Sequence, residues 1–155
     1  MKHYFWALSL AILLSTSSFL CLAHSAQLSS FRLYQQKAHW YLAGEVPQIT
    51  LHQVLTEIDP HYSKKYQTHF DQYFQQHICI KDEACIELQL QAFSPGSHTT
   101  RFIYQLGKTA PKLTAIKLDA FKDLHSHHHY LEYVNPQGDK RFILSTNNAY
   151  QAGLN

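Results

Sequence analysis

Four histidines fall within five positions at His125-Ser126-His127-His128-His129, in a chain that carries twelve. Neutral imidazole is the commonest side-chain ligand for zinc, copper and nickel, so a cluster of this density points first to metal chemistry. In an extended segment, side chains two positions apart share a face. His127 and His129 would then stand side by side with Cβ atoms roughly 6.5–7 Å apart. Metal–nitrogen bonds of about 2.0–2.1 Å to zinc let two rings so placed reach one ion. His125 extends the row if the strand begins early, and Asp119 and Asp123 just upstream could add a carboxylate oxygen. The candidate set is His125, His127, His128 and His129, with zinc, copper or nickel as the ion; residue type and spacing do not choose among the three. The competing reading is a solvated polar corner leading into Tyr130–Val134, with the histidines incidental.

A further candidate, His24, depends on the first residues of the chain. Met1-Lys2-His3 is a short basic start, Tyr4 to Leu14 is an apolar run, and Ser15 to Ala23 ends in small residues. This is the three-part layout of a secretory signal peptide, with an apolar core too short to anchor in a bilayer. Small side chains at Cys21 and Ala23 favour a cut after Ala23; cuts after Ser25 or Ala26 are the alternatives. The expected organisation is a leader over 1–23 and one domain over 24–155. His24 would then lead the exported chain, where its α-amine and imidazole together can chelate copper or nickel. That amine must first lose its proton, from a reference pKa of about 7.7–8.0.

Export also decides the cysteine chemistry. Once the leader is cut, Cys79 and Cys85 remain, six positions apart in CIKDEAC. An oxidising compartment and the lack of CxxC spacing favour a disulfide across a tight hairpin. The expected location is the periplasm or the medium. A formal net charge of +2 gives no support for nucleic acid or an anionic membrane surface as partner. No glycine elbow surrounds a serine, and the acidic residues are dispersed, so no catalytic residue is assigned and a non-enzymatic domain is expected. No small-molecule substrate is indicated either.

The elements that must position these residues are mostly strands. IELQLQAF places Ile86, Leu88, Leu90 and Ala92 on one face, and TTRFIYQL places Thr100, Phe102, Tyr104 and Leu106 on another, with the break SPGS between them. KLTAIKL reads as a further strand. YLEYV and KRFIL flank NPQGD, whose proline and glycine suit a type I turn followed by a left-handed glycine. FRLYQ and HWYLAG flank a Gln-Lys turn, and VPQITL reads as the strand that follows. One segment differs: over 62–77, Tyr62, Tyr66, Phe70, Tyr73, Phe74 and His77 recur at spacings of three and four, an amphipathic helix with an aromatic stripe. Asp59-Pro60 is its start signal. The fold class is mainly β: a small antiparallel β-sandwich of about seven strands with one amphipathic helix inserted. His77 falls on the stripe as a packing residue. His69 lies eight positions from it, too far to share an ion, and His39, His52, His61 and His98 are assigned no role.

Taken in order, AHSAQLSSFRLYQ, HWYLAGEVP, FDQYFQQHICI and LDAFKDLHSHHHYLEYVNPQGDKRFILS resemble the extracytoplasmic N-terminal region of some HupE/UreJ-type proteins, a family of nickel/cobalt permeases. The layout is also similar to that of small exported domains of unknown function. In the permeases this region precedes the membrane helices, whereas this chain stops at Asn155. The resemblance therefore implies a stand-alone exported domain serving a metal-handling system beside a membrane-protein partner, rather than a transporter.

Overall fold

The computed structural model describes residues 28–125 and 127–155; the expected leader over 1–23 and His24 lie outside the described residues. The fold is mainly β, with nine strands in two sheets and two helices among the described residues. The strands are β1 (Leu28–Gln36), β2 (His39–Pro47), β3 (Ile78–Lys81), β4 (Leu88–Pro95), β5 (Thr99–Leu106), β6 (Ala115–Leu118), β7 (His128–Val134), β8 (Lys140–Leu144) and β9 (Gln151–Gly153). The larger sheet runs β4-β5-β2-β1-β7-β8 and the smaller β3-β6-β9. All neighbours pair antiparallel except β1 and β7, which are parallel and set Ser29 opposite His129 and Phe31 opposite Leu131. That central parallel pair departs from the all-antiparallel sandwich expected.

The amphipathic segment forms as its stripe requires. A 3₁₀ turn over Tyr62–Lys65 leads into helix α2 (Tyr66–His77), with Tyr62, Phe70, Tyr73 and Phe74 buried. Phe70 and Phe74 pack on Phe102 of β5, each with ring centroids 5.0 Å apart. The space for Phe102 exists because its cross-strand partner is Gly44: a Cβ there would lie 2.2 Å from Phe102 Cζ. These rings, with Leu33, Leu42, Leu106 and Leu131 of the larger sheet and Ile80, Ile116 and Leu118 of the smaller, form one continuous core.

Two expectations are corrected. VPQITL is not a strand: β2 ends at Pro47, and helix α1 (Gln48–Ile58) follows, burying Thr50, Leu51 and Leu55. Proline closes the ladder because it has no N–H to give, and Pro47 stands as the extended N-cap residue, φ −61° and ψ 131°, from which the helix starts. In β4 the alternation breaks between Leu90 and Ala92, where Gln91 is an extra residue against β5. The bulge reverses the phase, so Ala92 faces out and Phe93 packs inward against Phe70 at 4.8 Å. The NPQGD turn forms as expected, with Gly138 at φ 130° and its N–H donated to Asn135 O.

Cys79 and Cys85 form a disulfide with Cα atoms 5.1 Å apart, tying β3 to the segment that leads into β4. Among the described residues, no helix is long and apolar enough to cross a membrane.

Candidate functional site

Strand alternation divides the histidine cluster. His127 and His129 turn inward and are 1% and 0% exposed, whereas His128 and His125 face solvent. β7 begins at His128, so His125 sits in the preceding turn and does not extend the row. The two buried rings touch, with centroids 5.0 Å apart. Phe31 and Tyr150 pack on His129 at 5.2 and 5.5 Å, and Phe121 packs on His127 at 4.9 Å.

The loop between β6 and β7 makes this chamber. Phe121 adopts φ 63°, a left-handed conformation costly for an aromatic residue. Its N–H donates to the hydroxyl of Tyr73 on α2 at 2.8 Å, which holds the ring over the imidazoles. From the other side Tyr150 donates its hydroxyl to His127 O at 3.0 Å.

Each imidazole has one satisfied nitrogen. His129 Nε2 lies 2.7 Å from Ala120 O; a carbonyl only accepts, so Nε2 carries the proton and, in the neutral ring, Nδ1 is a bare lone pair. His127 Nε2 lies 3.0 Å from Ser29 Oγ, a hydroxyl able to donate or accept. Neither Nδ1 has a hydrogen-bond partner, although both are buried. Burial, followed by the charge of His128, pushes His127 down to about 4; burial, followed by the charge of His127, pushes His129 down to about 3. Both rings are therefore neutral at pH 7; the His129 lone pair lies on Nδ1, and that of His127 lies on Nδ1 when Ser29 accepts and on Nε2 when Ser29 donates.

The other candidate ligands are engaged elsewhere or face solvent. Asp119 accepts from His77 Nδ1 at 3.0 Å and from Lys117 Nζ at 2.8 Å. Burial pushes the Asp119 carboxyl up, but hydrogen bonds from Lys117 and His77 outweigh it and hold it below its ordinary value. Asp123 is exposed. Among the described residues no group of three or more His, Cys, Asp or Glu is placed to hold an ion.

Ser29 and His127 also invite comparison with a nucleophile and its base. The pair is enclosed, and His127 Nδ1 lacks the carboxylate that would orient the ring and support its positive charge. The sequence reading missed Ser29, Ala120 and the Phe121 lid. Only the alternation of Ser29, Phe31 and Leu33 hinted that a small polar residue faced the core.

The outer face of the larger sheet holds a second feature, a concavity of about 510 Å³ whose lining includes Ser30, Arg32, Ala43, Glu45, Arg101 and Tyr130. Its charges are closed among themselves, Arg32 with Glu132 at 3.1 Å and Arg101 with Glu45 at 3.0 Å. No family model matches this chain, and no curated protein matches it.

Proposed function

We propose that this chain is an exported, non-enzymatic domain, periplasmic or secreted, that binds a transition-metal ion and serves a metal-handling system beside a membrane partner. The observation that carries the reading is the pair of unpartnered ring nitrogens, Nδ1 of His127 and Nδ1 of His129, enclosed together. A buried ring nitrogen with no hydrogen-bond partner costs about 1–3 kcal/mol, and two of them on adjoining rings favour a compensating ligand. Ala120 O supplies what a metal-bound imidazole needs on the opposite nitrogen, an acceptor that fixes tautomer and ring orientation, and Ser29 Oγ serves His127 in the same way when it accepts. His125 and His128 stand on the solvent side of the same segment, where they offer first contact to an arriving ion. His24, as a free N-terminal residue, adds a separate surface ligand for copper or nickel. The leader-like start and the Cys79–Cys85 disulfide support the compartment. The membrane partner rests on the resemblance to HupE/UreJ-type proteins.

Equilibrium dialysis of tag-free protein against zinc, nickel and copper in turn tests the reading, with metal per chain read by mass spectrometry. The expected result is saturable uptake that falls when His127→Phe and His129→Phe are combined. Uptake that is absent, or indifferent to those substitutions in a folded protein, refutes it.

A second reading is favoured by the outer concavity: a protein-interaction domain whose larger sheet docks a partner, with the histidines incidental. A partner that stays bound in a metal chelator and with the His127→Phe/His129→Phe chain, but is lost on Tyr130→Ala, supports it.

A further inference from the structure

We propose that the outer face of the larger sheet is the interface of a two-fold homodimer of this chain. The inference is independent of the histidine pair, which is buried on the other side of the sheet. Three observations carry it.

The first is which cations stand on the face. The chain has three arginines, and all of them, Arg32, Arg101 and Arg141, project from its strands and pair with Glu132 or Glu45. Among the described residues no outward strand position of this sheet carries a lysine; Lys140 of β8 turns away, to Leu154 O at 3.5 Å. Arginine is enriched and lysine depleted where proteins meet, because a guanidinium is weakly hydrated and can be covered while it stays bonded to a carboxylate. Tyr130 and Ile143 stand among the arginines, and Ile143 is 65% exposed.

The second is size. Six strands about 4.8 Å apart, each contributing about seven residues that rise about 3.3 Å, offer roughly 650 Å² of flat face per copy. Two copies cover roughly 1,300 Å², inside the range of about 1,200–2,000 Å² for a stable interface.

The third is shape, because the face is its own complement. The strand register lays two rows of side chains across the sheet from β4 to β8. One is Ser94, Arg101, Glu45, Ser30, Tyr130 and Ile143; the other is Ala92, Ile103, Ala43, Arg32, Glu132 and Arg141. Small residues mark the β4-β5-β2 half, and the concavity of about 510 Å³ spreads from there and stops short of β8. Large residues mark the β1-β7-β8 half. A two-fold axis parallel to the strands, midway between β2 and β1, lays β8 of one copy over β4 of the other, β7 over β5 and β1 over β2. Ile143 then meets Ser94, Arg141 meets Ala92 and Arg32 meets Ala43, large against small each time. Tyr130 meets Arg101, an aromatic ring against a guanidinium. Each charge is already paired within its own copy, so closure leaves none alone.

Sedimentation velocity of the tag-free protein, in a metal chelator and over about 1 to 100 μM, reads the assembly; interfaces of this size hold at micromolar affinity or tighter. The expected result is a species of twice the chain mass. Ala92→Arg sets like charge against Arg141 of the second copy and should weaken association about tenfold or more, whereas Ala92→Glu should hold or tighten it. Ala92 is exposed, so neither substitution enters the core, and circular dichroism checks the fold. Chains carrying Ser94→Cys, mixed with chains carrying Ile143→Cys, should oxidise to a cross-linked pair; Ser94→Cys alone should not. A protein that stays monomeric throughout overturns the inference and leaves the metal-site reading untouched. A dimer that the chelator dissolves, or one that responds equally to Ala92→Arg and Ala92→Glu, also overturns it. So does a cross-link formed as readily by Ser94→Cys alone, which would put another axis at the contact.

Discussion

Acid should unfold this domain through His127 and His129, well before its carboxylates titrate. In the folded chain the two rings titrate at about 4 and about 3, against about 6.5 for an exposed histidine. Because the folded values are depressed, the unfolded chain binds more protons at every pH between the two sets of values. The stabilising contribution is thus whole above pH 6.5 and is lost as pH falls toward 3. Each unit of pH below the unfolded value costs about 1.4 kcal/mol per ring, so at pH 5 each ring has cost about 2 kcal/mol and the pair about 4 kcal/mol. Domains of this kind have roughly 5–15 kcal/mol in all, so the loss is a large share of the whole. Urea unfolding followed by tryptophan fluorescence at pH 7.5 and pH 5.0, in a metal chelator, measures it. The His127→Phe/His129→Phe chain serves as reference because neither position titrates. The wild-type chain should lose about 4 kcal/mol more than the reference between the two pH values. Equal losses in the two chains would mean that the rings are solvated or already charged in the folded state, and the enclosed neutral pair would be refuted.

Further expectations follow from single contacts. Reducing the Cys79–Cys85 disulfide, or replacing both cysteines by serine, should lower stability by about 2 kcal/mol in the chain-entropy estimate for so short a loop, read as a shift in urea midpoint; an unmoved midpoint counts against it. Gly44→Ala should cost about 1–3 kcal/mol because its Cβ would meet the Phe102 ring, and the cost should shrink in a Phe102→Leu background; equal costs in both backgrounds would contradict the close approach. Tyr73→Phe removes the acceptor of the Phe121 N–H, and a loss of about 1–3 kcal/mol with faster hydrogen exchange at Phe121 is expected; unchanged exchange would show that the hydroxyl does not hold the lid.

What could be read from the sequence was what depends on neighbours in the chain. The stripe Tyr62, Phe70, Tyr73 and Phe74 writes its helix in local spacing, and Asn135-Pro136-Gln137-Gly138 writes its turn. VPQITL was ambiguous because it straddles a boundary: Val46 belongs to the ladder, while Leu51 and Leu55 mark a helix face four apart. The strands β3 and β9, four and three residues long, are too short to show a period; they exist because β6 pairs with both. The parallel pairing of β1 with β7 leaves no local mark at all. For the same reason the histidine pair was only half legible. Period-two spacing put His127 and His129 on one face, yet their burial depends on Ser29, 98 residues away, and on rings contributed by Phe31, Phe121 and Tyr150. Which imidazole nitrogen is bare follows only from the carbonyl of Ala120, and no spacing rule reports that.

Histidine-selective ¹⁵N spectra of the wild-type chain, recorded at pH 7.5 before and after one equivalent of zinc, test the pair of unpartnered nitrogens most directly. The expected spectrum before addition places the His129 proton on Nε2 with an unprotonated Nδ1; after addition the Nδ1 resonances of His127 and His129 shift together while those of His125 and His128 stay in place. A His129 proton found on Nδ1, or shifts confined to the exposed rings, would contradict the buried pair as the metal site.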